Sequence, residues 1–238
     1  MYKRQDGIVT NSRHCAETVR AFLGKRGEGA PIRHFYLGHD IAVASREGVR
    51  GPARDHAGLT YLVIGTIEPR KGHGTVLDAF ERLWAVGSDA HLVFVGKLGW
   101  AHPSLIDRVQ AHPERGKRLH LVHDASDAEL HRMMLNADAV IMASSVEGFG
   151  LPLVEALGLG LPVIASDIPV FREIADTAAL FFTVDDAVSL GQAISAFESD
   201  PDRYRQRARA FRWNDWAGAA QQFLDAVSTV SGARFDRA

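Results

Sequence analysis

The sequence predicts an α/β fold built on a doubly wound parallel sheet, preceded by a short strand–helix–strand unit. Three observations carry that expectation. From residue 60 onward, short apolar runs recur without polar alternation, the pattern of strands covered on both faces. Helical patterns separate those runs, and strand–helix alternation at this spacing makes βαβ units and a parallel sheet. The chain has 238 residues, 46% of them hydrophobic, enough for one large domain, or one domain and a piece of another.

The elements follow in order. Strands are predicted at Tyr61–Thr66, His91–Gly96, Leu119–Val122, Ala137–Ala143, Pro162–Ser166 and Ala179–Thr183. A helix is predicted over Thr75–Val86, where Val76, Leu77, Phe80, Leu83 and Trp84 share one face. Ser126 and Glu129 have the spacing of a capping box ahead of Leu130, Met133 and Met134. Pro152 suits the first turn of a helix running to about Leu159. Before these, residues 1–45 hold a strand (Gly7–Thr10), a helix (Arg13–Leu23) and a strand (Ile32–Leu37). They read as the remnant of a neighbouring domain. The polar, Gly-rich stretch 46–58 reads as a linker, and residues 59–238 as the main domain. One amphipathic helix, Asn214–Val230, closes the chain.

Composition removes several function classes. Lys+Arg is 27 against 29 Asp+Glu, a net charge of -2, which argues against a general nucleic-acid binder. The single cysteine, Cys15, rules out an intrachain disulfide framework and a cysteine-rich zinc site. No apolar run reaches the roughly 18 residues of a membrane span, and the N-terminus has no apolar signal-peptide core. The expectation is a cytoplasmic protein with no transmembrane segment. None of the eleven histidines falls into a metal-binding spacing.

Two loops have the residues to hold a phosphate. Ile67–Gly74 puts Arg70 and Lys71 just before a helix start, where free N–H groups and the positive dipole end favour anions. Alone, those cations would read as a solvated basic turn. Ser144–Glu155 carries Gly148 and Gly150, which permit φ > 0 and close backbone approach, flanked by Glu147 and Glu155. A carboxylate can accept two hydrogen bonds from a vicinal diol. Alone, Glu155 reads equally well as a first-turn glutamate favoured by the dipole. In the common order 3-2-1-4-5-6, the strands preceding these loops are neighbours, and ligands bind above that switch point. Cations, free amides and two carboxylates in one cleft suggest a nucleotide-linked sugar.

At these residues the chain resembles the C-terminal, donor-binding half of a GT-B glycosyltransferase of family 4, whose Rossmann-like sheet this would be. Glu147-Gly148-Phe149-Gly150-Leu151-Pro152-Leu153-Val154-Glu155 matches the family's E-x7-E motif. Ile64-Gly65-Thr66 with Glu68-Pro69-Arg70-Lys71-Gly72 matches its phosphate loop in the mannosyltransferase-like form. Val95-Gly96-Lys97 and Leu161–Ala165 match flanking strands, and the resemblance covers residues 59–230. It extends weakly to 6–41, where Asn11-Ser12-Arg13 and Leu37–Asp40 look like the end of the family's first domain.

The resemblance implies a retaining hexosyl transfer, mannose favoured, from a nucleoside-diphosphate sugar to a glycan or lipid-linked acceptor. Arg70 and Lys71 would bind the diphosphate and stabilise the leaving nucleotide, in place of a metal. Gly148, Phe149, Gly150 and Leu151 would approach the donor through backbone amides, beside Thr66. Glu147 would contact the sugar hydroxyls and Glu155 the ribose, while His123 would border the base. GDP-mannose is the favoured donor, with a UDP-sugar as the other; no tightly bound cofactor or metal is implied.

The departures from the family are also informative. Ala143 stands where many members have proline. The chain lacks nearly all of the family's acceptor domain, and half a cleft cannot shield an oxocarbenium ion from water. The chain alone is therefore expected to be weakly active or inactive, as a fragment or as the partner of a separate acceptor-domain chain. A non-catalytic nucleotide-sugar binding module is the alternative. Asp200-Pro201-Asp202 reads as a helix cap rather than a metal motif, and the arginines at 203, 205, 207 and 209 as a basic face that could touch anionic lipid at the inner membrane surface. Trp213 and Trp216 read as anchors of the terminal helix. No G-x-G-x-x-G follows a strand, which disfavours a nicotinamide enzyme, and no P-loop motif occurs.

Overall fold

The computed structural model describes residues 6–24, 30–40, 56–99 and 103–231. A six-stranded, wholly parallel sheet forms the main body, from β3 (Thr60–Ile64), β4 (His91–Val95), β5 (Leu119–Val122), β6 (Ala139–Met142), β7 (Val163–Ser166) and β8 (Leu180–Phe182). Its order is β5-β4-β3-β6-β7-β8, the doubly wound arrangement with the switch point between β3 and β6. All six strands were predicted; β3 starts one residue before its predicted start and ends two before its predicted end, and the others are the same or one or two residues shorter at an end.

The lack of alternation now has its cause. Tyr61 and Val63 of β3 face one core with Leu92, Phe94 and Ile141. Leu62 and Ile64 face a second core with Val140, Met142, Val163 and Ala165. The first is covered by α2 (His73–Ala85), α3 (Pro103–Gln110) and α7 (Ala187–Ser199). The second is covered by α4 (Asp127–Asn136), α5 (Leu151–Gly158) and α6 (Pro169–Ala175), with α8 (Pro201–Ala210) behind α5. Both faces of the sheet are covered, so the interior of the central strands is apolar and polar side chains stand at strand ends, as Ser166 does on β7.

Local chemistry sets the helix boundaries. The predicted capping box forms: Ser126 accepts from the Glu129 amide and the Glu129 carboxylate accepts from Ser126 N. Asp200 caps α8, accepting from Arg203 N at 3.2 Å, so the D-x-D string is a helix cap. Of the α8 arginines, Arg205 pairs with Asp138 and Asp202, and Arg203 and Arg207 lie over the Tyr204 ring.

The N-terminal unit, β1 (Ile8–Thr10), α1 (Arg13–Gly24) and β2 (Ile32–His34), forms a separate two-stranded parallel sheet. β2 is shorter than the predicted Ile32–Leu37. β1 offers three residues to pair with, and beyond Phe35 the backbone turns to other partners, Tyr36 N donating to Gln222 Oε1. That glutamine lies on α9 (Trp216–Ser231), which packs on this unit rather than on the large sheet. Trp213 anchors the approach to α9: its Nε1 donates to Leu37 O at 2.8 Å and its ring meets Tyr36 and Phe149. Most of the expected linker, through residue 55, lies outside the described residues.

Candidate functional site

Both candidate loops leave the carboxyl ends of neighbouring strands, β3 and β6. After β3, Pro69–Lys71 forms one 3-10 turn that ends at Gly72, with φ +68. A Cβ at Gly72 would sit 2.2 Å from Ala143 O, so only glycine lets this loop lie so close to the end of β6. Ser145 N closes the contact, donating to Arg70 O at 2.8 Å. The two loops are therefore one structure.

Its centre is charged. Glu147 receives Lys71 Nζ at 2.5 Å on Oε1 and Arg70 at 3.3 Å on Oε2. Ser144 Oγ donates to the same Oε1 at 2.8 Å, and Ser166 Oγ in turn donates to Ser144 O. Arg70 also pairs with Glu68 at 3.0 Å. Glu147 is 10% exposed and Lys71 14%, against 39% for Arg70. Of the two cations, Arg70 is the one that faces solvent, while Lys71 and Glu147 are nearly enclosed.

Beside this cluster α5 begins. Its cap residue, Gly150, has φ +101, and no side chain caps the helix. A Cβ there would meet Phe171 at 2.7 Å. Gly148 differs from the expectation of a second left-handed glycine: its φ is not positive, and a Cβ would find Asn11 and Cys15 at ordinary contact distance. What Gly148 contributes is its carbonyl, which accepts from Ser12 Oγ at 2.9 Å and from Cys15 Sγ at 3.3 Å. Among the described residues the amides of Phe149, Gly150 and Leu151 donate to no protein acceptor, leaving the start of α5 able to hold an anion.

The remaining candidates lie along the same sheet end. Thr66 is half-buried between Gly65 and Ile67, leading into the turn. Glu155 is largely buried on α5, and among the described residues nothing hydrogen-bonds its carboxylate. Burial, then the charge of Asp127, pushes its pKa up. Asp127 opens α4 just after β5, so Glu155 is oriented towards that loop. His123 stands apart from the charged cluster, exposed at the end of edge strand β5 and followed by Asp124 at φ +51. Among the described residues no group of three or more His, Cys, Asp and Glu side chains could hold a metal.

Sequence reasoning missed Ser144 and Ser166 as supports of Glu147, and Ser12, Cys15 and Glu173 as contacts of the N-terminal unit. The Ser144–Glu147 spacing could have suggested the first. Nothing local announces a hydrogen bond spanning 136 residues.

His73, the first residue of α2, lies just behind the cations. It is 1% exposed, and neither ring nitrogen has a hydrogen-bond partner among the described residues. Its ring meets Phe94 edge to face at 5.0 Å. Burial, reinforced by Lys71, lowers its pKa from 6.5 to about 4. A depressed folded value means stability that is complete above the unfolded value and is lost as pH falls through the folded one. Acid titration from pH 6.5 to about 4 is expected to remove about 3 kcal/mol through this residue. Urea unfolding of His73→Phe across that window should show a correspondingly flatter profile; parallel profiles would contradict it.

Comparison with known proteins places this geometry. The family described as Glycosyl transferases group 1 matches residues 50–212. The serotype-specific mannosyltransferase WbdA of Escherichia coli is 33% identical over 241 residues, covering 96% of this chain and 30% of its own length. A phosphatidyl-myo-inositol mannosyltransferase of Mycolicibacterium smegmatis is 37% identical over 186 residues, covering 74% of this chain and 46% of its own. The chain thus spans less than half the length of these relatives. Among solved structures, a glycosyltransferase from Rickettsia africae superposes with a TM-score of 0.73 at 16% identity, covering 94% of this chain and 63% of that one. Anabaena HepE in complex with UDP and glucose gives 0.69 at 19% identity, covering 97% and 62%. With the family matched over most of its length and the switch-point sheet in place, the chain belongs to the group 1 glycosyltransferases, and its sheet is that of a GT-B fold.

Proposed function

We propose that the cleft at the β3–β6 switch point binds the donor of a retaining hexosyl transfer, a nucleoside-diphosphate sugar. The observation that carries this reading is the joining of Arg70, Lys71 and Glu147 beside the unpartnered amides that open α5. The diphosphate displaces Glu147 from the two cations and takes up the amides of Phe149, Gly150 and Leu151. Released, the Glu147 carboxylate accepts from hydroxyls of the sugar. Glu155 accepts from the ribose diol, and His123 and the loop after β5 border the base, with Thr66 at the edge of the phosphate turn. Mannose on GDP is the favoured donor, since the curated relatives named here are mannosyltransferases; the UDP complex of HepE supports a UDP-sugar as the other.

In the transfer, the bond between the anomeric carbon and the phosphate oxygen breaks, and an acceptor hydroxyl oxygen bonds to that carbon on the face the phosphate leaves. The hydroxyl proton passes to a phosphate oxygen. Once the diphosphate has displaced Glu147, Arg70, Lys71 and the α5 amides are in place to hold the negative charge that builds on the departing nucleoside diphosphate. The acceptor, a glycan or lipid-linked saccharide, is taken from the relatives' chemistry. With it come the reading of residues 1–45 as the end of an acceptor domain and of 59–238 as the donor domain. Among the described residues no helix is long and apolar enough to cross a membrane, and the reaction is assigned to the cytoplasmic side, at the membrane surface.

Calorimetric titration of the chain with GDP and with UDP tests the donor site. Saturable binding of one of them, competed by its hexose conjugate, is the expected result. Failure of both nucleotides to bind would overturn the reading.

A further inference from the structure

The donor loop is held from outside its own sheet. Ser12 is completely buried, and its hydroxyl donates to Gly148 O at 2.9 Å. Cys15 N donates to that hydroxyl oxygen at 3.1 Å, which leaves the single hydroxyl hydrogen for Gly148. The Cys15 thiol adds a weaker donor to the same carbonyl. The segment carrying these groups is fixed in turn. Thr10 Oγ1 donates to Ser12 O at 2.9 Å, and the Glu173 carboxylate of α6 accepts from Arg13 N and His14 N at 2.7 and 2.8 Å. The Glu173 carboxylate also lies near Tyr36 and, after burial, helps push that phenol's pKa up to about 12. The head of α1 is thus docked on α6 through one carboxylate and on the donor loop through one carbonyl.

A trans peptide sets its C=O and N–H in opposite directions. With Gly148 O turned towards α1, the Phe149 N–H that shares its peptide plane is turned away from α1. Without Ser12 and Cys15 that carbonyl would lose both the donors it has among the described residues.

We propose that Ser12 is a positioning residue for donor binding: by fixing the Gly148 carbonyl it orients the loop amides that receive the diphosphate. Ser12 touches no substrate and acts through the 148–149 peptide plane. Donor affinity thereby depends on where the N-terminal strand–helix–strand unit sits, because the residue just ahead of α1 carries the hydroxyl. The role rests on the donor-site reading of the cleft.

The test uses the full chain with Ser12→Ala, the rescue variant Ser12→Thr and, as a second probe, Cys15→Ala. Hydrogen exchange without ligand is expected to show the hydrogen-bonded amides that frame the loop, Ser145, Leu153 and Val154, exchanging about tenfold faster in Ser12→Ala, with β6 and β7 unchanged. Titration is expected to show diphosphate affinity about tenfold weaker, monophosphate affinity nearly unchanged, and Ser12→Thr restoring the first. Cys15→Ala should move both readouts the same way by less. Unchanged loop exchange, or equal losses for diphosphate and monophosphate, would overturn the role and mark Ser12 as a packing residue. If the wild-type chain binds neither nucleotide, the donor site and this role fall together. If it binds and Ser12→Ala binds equally well, the role falls alone.

Discussion

Arg70→Ala/Lys71→Ala is expected to weaken nucleoside diphosphate binding by at least a hundredfold. Each cation can make charge-assisted bonds worth about 1.5–3 kcal/mol to a shielded phosphate, and two such losses together span roughly two to four orders of magnitude in Kd. Arg70 offers a planar fork and Lys71 a point charge, so the pair grips the phosphate in two ways. The double variant also strands Glu147, which would keep only Ser144 as a partner in a nearly enclosed place. A carboxylate left there repels the diphosphate and adds to the loss. Glu147→Gln supplies the contrast. Lifting the carboxylate frees Lys71 and leaves Arg70 paired with Glu68 alone, so the bare diphosphate should bind as well as to wild type or better, while the hexose no longer adds to affinity. Titration of both variants with nucleoside diphosphate and with the sugar nucleotide checks these expectations. Retained diphosphate affinity in the double variant would show that the cations are not the phosphate site.

Phe171→Ala is expected to destabilise the fold by about 3–5 kcal/mol, the range for removing a fully buried aromatic ring. Phe171 is 0% exposed on α6 and lies in the core shared by α5, β6 and β7. It also sits under Gly150, where a single added carbon would come within 2.7 Å of its ring. The cavity would therefore open directly beneath the cap of α5, and the same variant should loosen the donor loop. Chemical denaturation reads the first effect, and nucleotide affinity at a temperature where the variant stays folded reads the second. A loss below about 1 kcal/mol would mean that α5 and α6 collapse into the space.

The difference between Phe171 and Gly148 shows how far the sequence reaches. Unbroken apolar runs at Leu62–Ile64, Val140–Met142 and Val163–Ala165 require both faces of the sheet to be covered, and the helical patterns between them supply the cover. Parallel order and the switch point follow from that alternation. The capping residues Ser126, Glu129 and Asp200 act within three residues of themselves, so their roles are readable from spacing. The cationic turn at Pro69–Lys71 and the Glu147–Glu155 segment are readable for the same reason, and the sheet order brings them together. Gly148 was expected to supply backbone freedom. Its conformation is an ordinary one, and its carbonyl proves to be the point where α1 takes hold.

What the sequence determined by itself is the fold and the family, because these rest on periodicity, local capping and a contiguous motif. Only the tertiary structure decided how the side chains are paired. Glu147 is engaged by Lys71, Arg70 and Ser144; neither ring nitrogen of the buried His73 has a hydrogen-bond partner among the described residues; the loop at Gly148 is tied to the head of α1 by Ser12 and Cys15 and α1 to α6 by Glu173. Each of these depends on directional contacts over a few ångströms between segments far apart in the chain. Hydrophobic burial is non-directional and tolerates many sequences, so it leaves a periodic trace; a single long-range hydrogen bond leaves none.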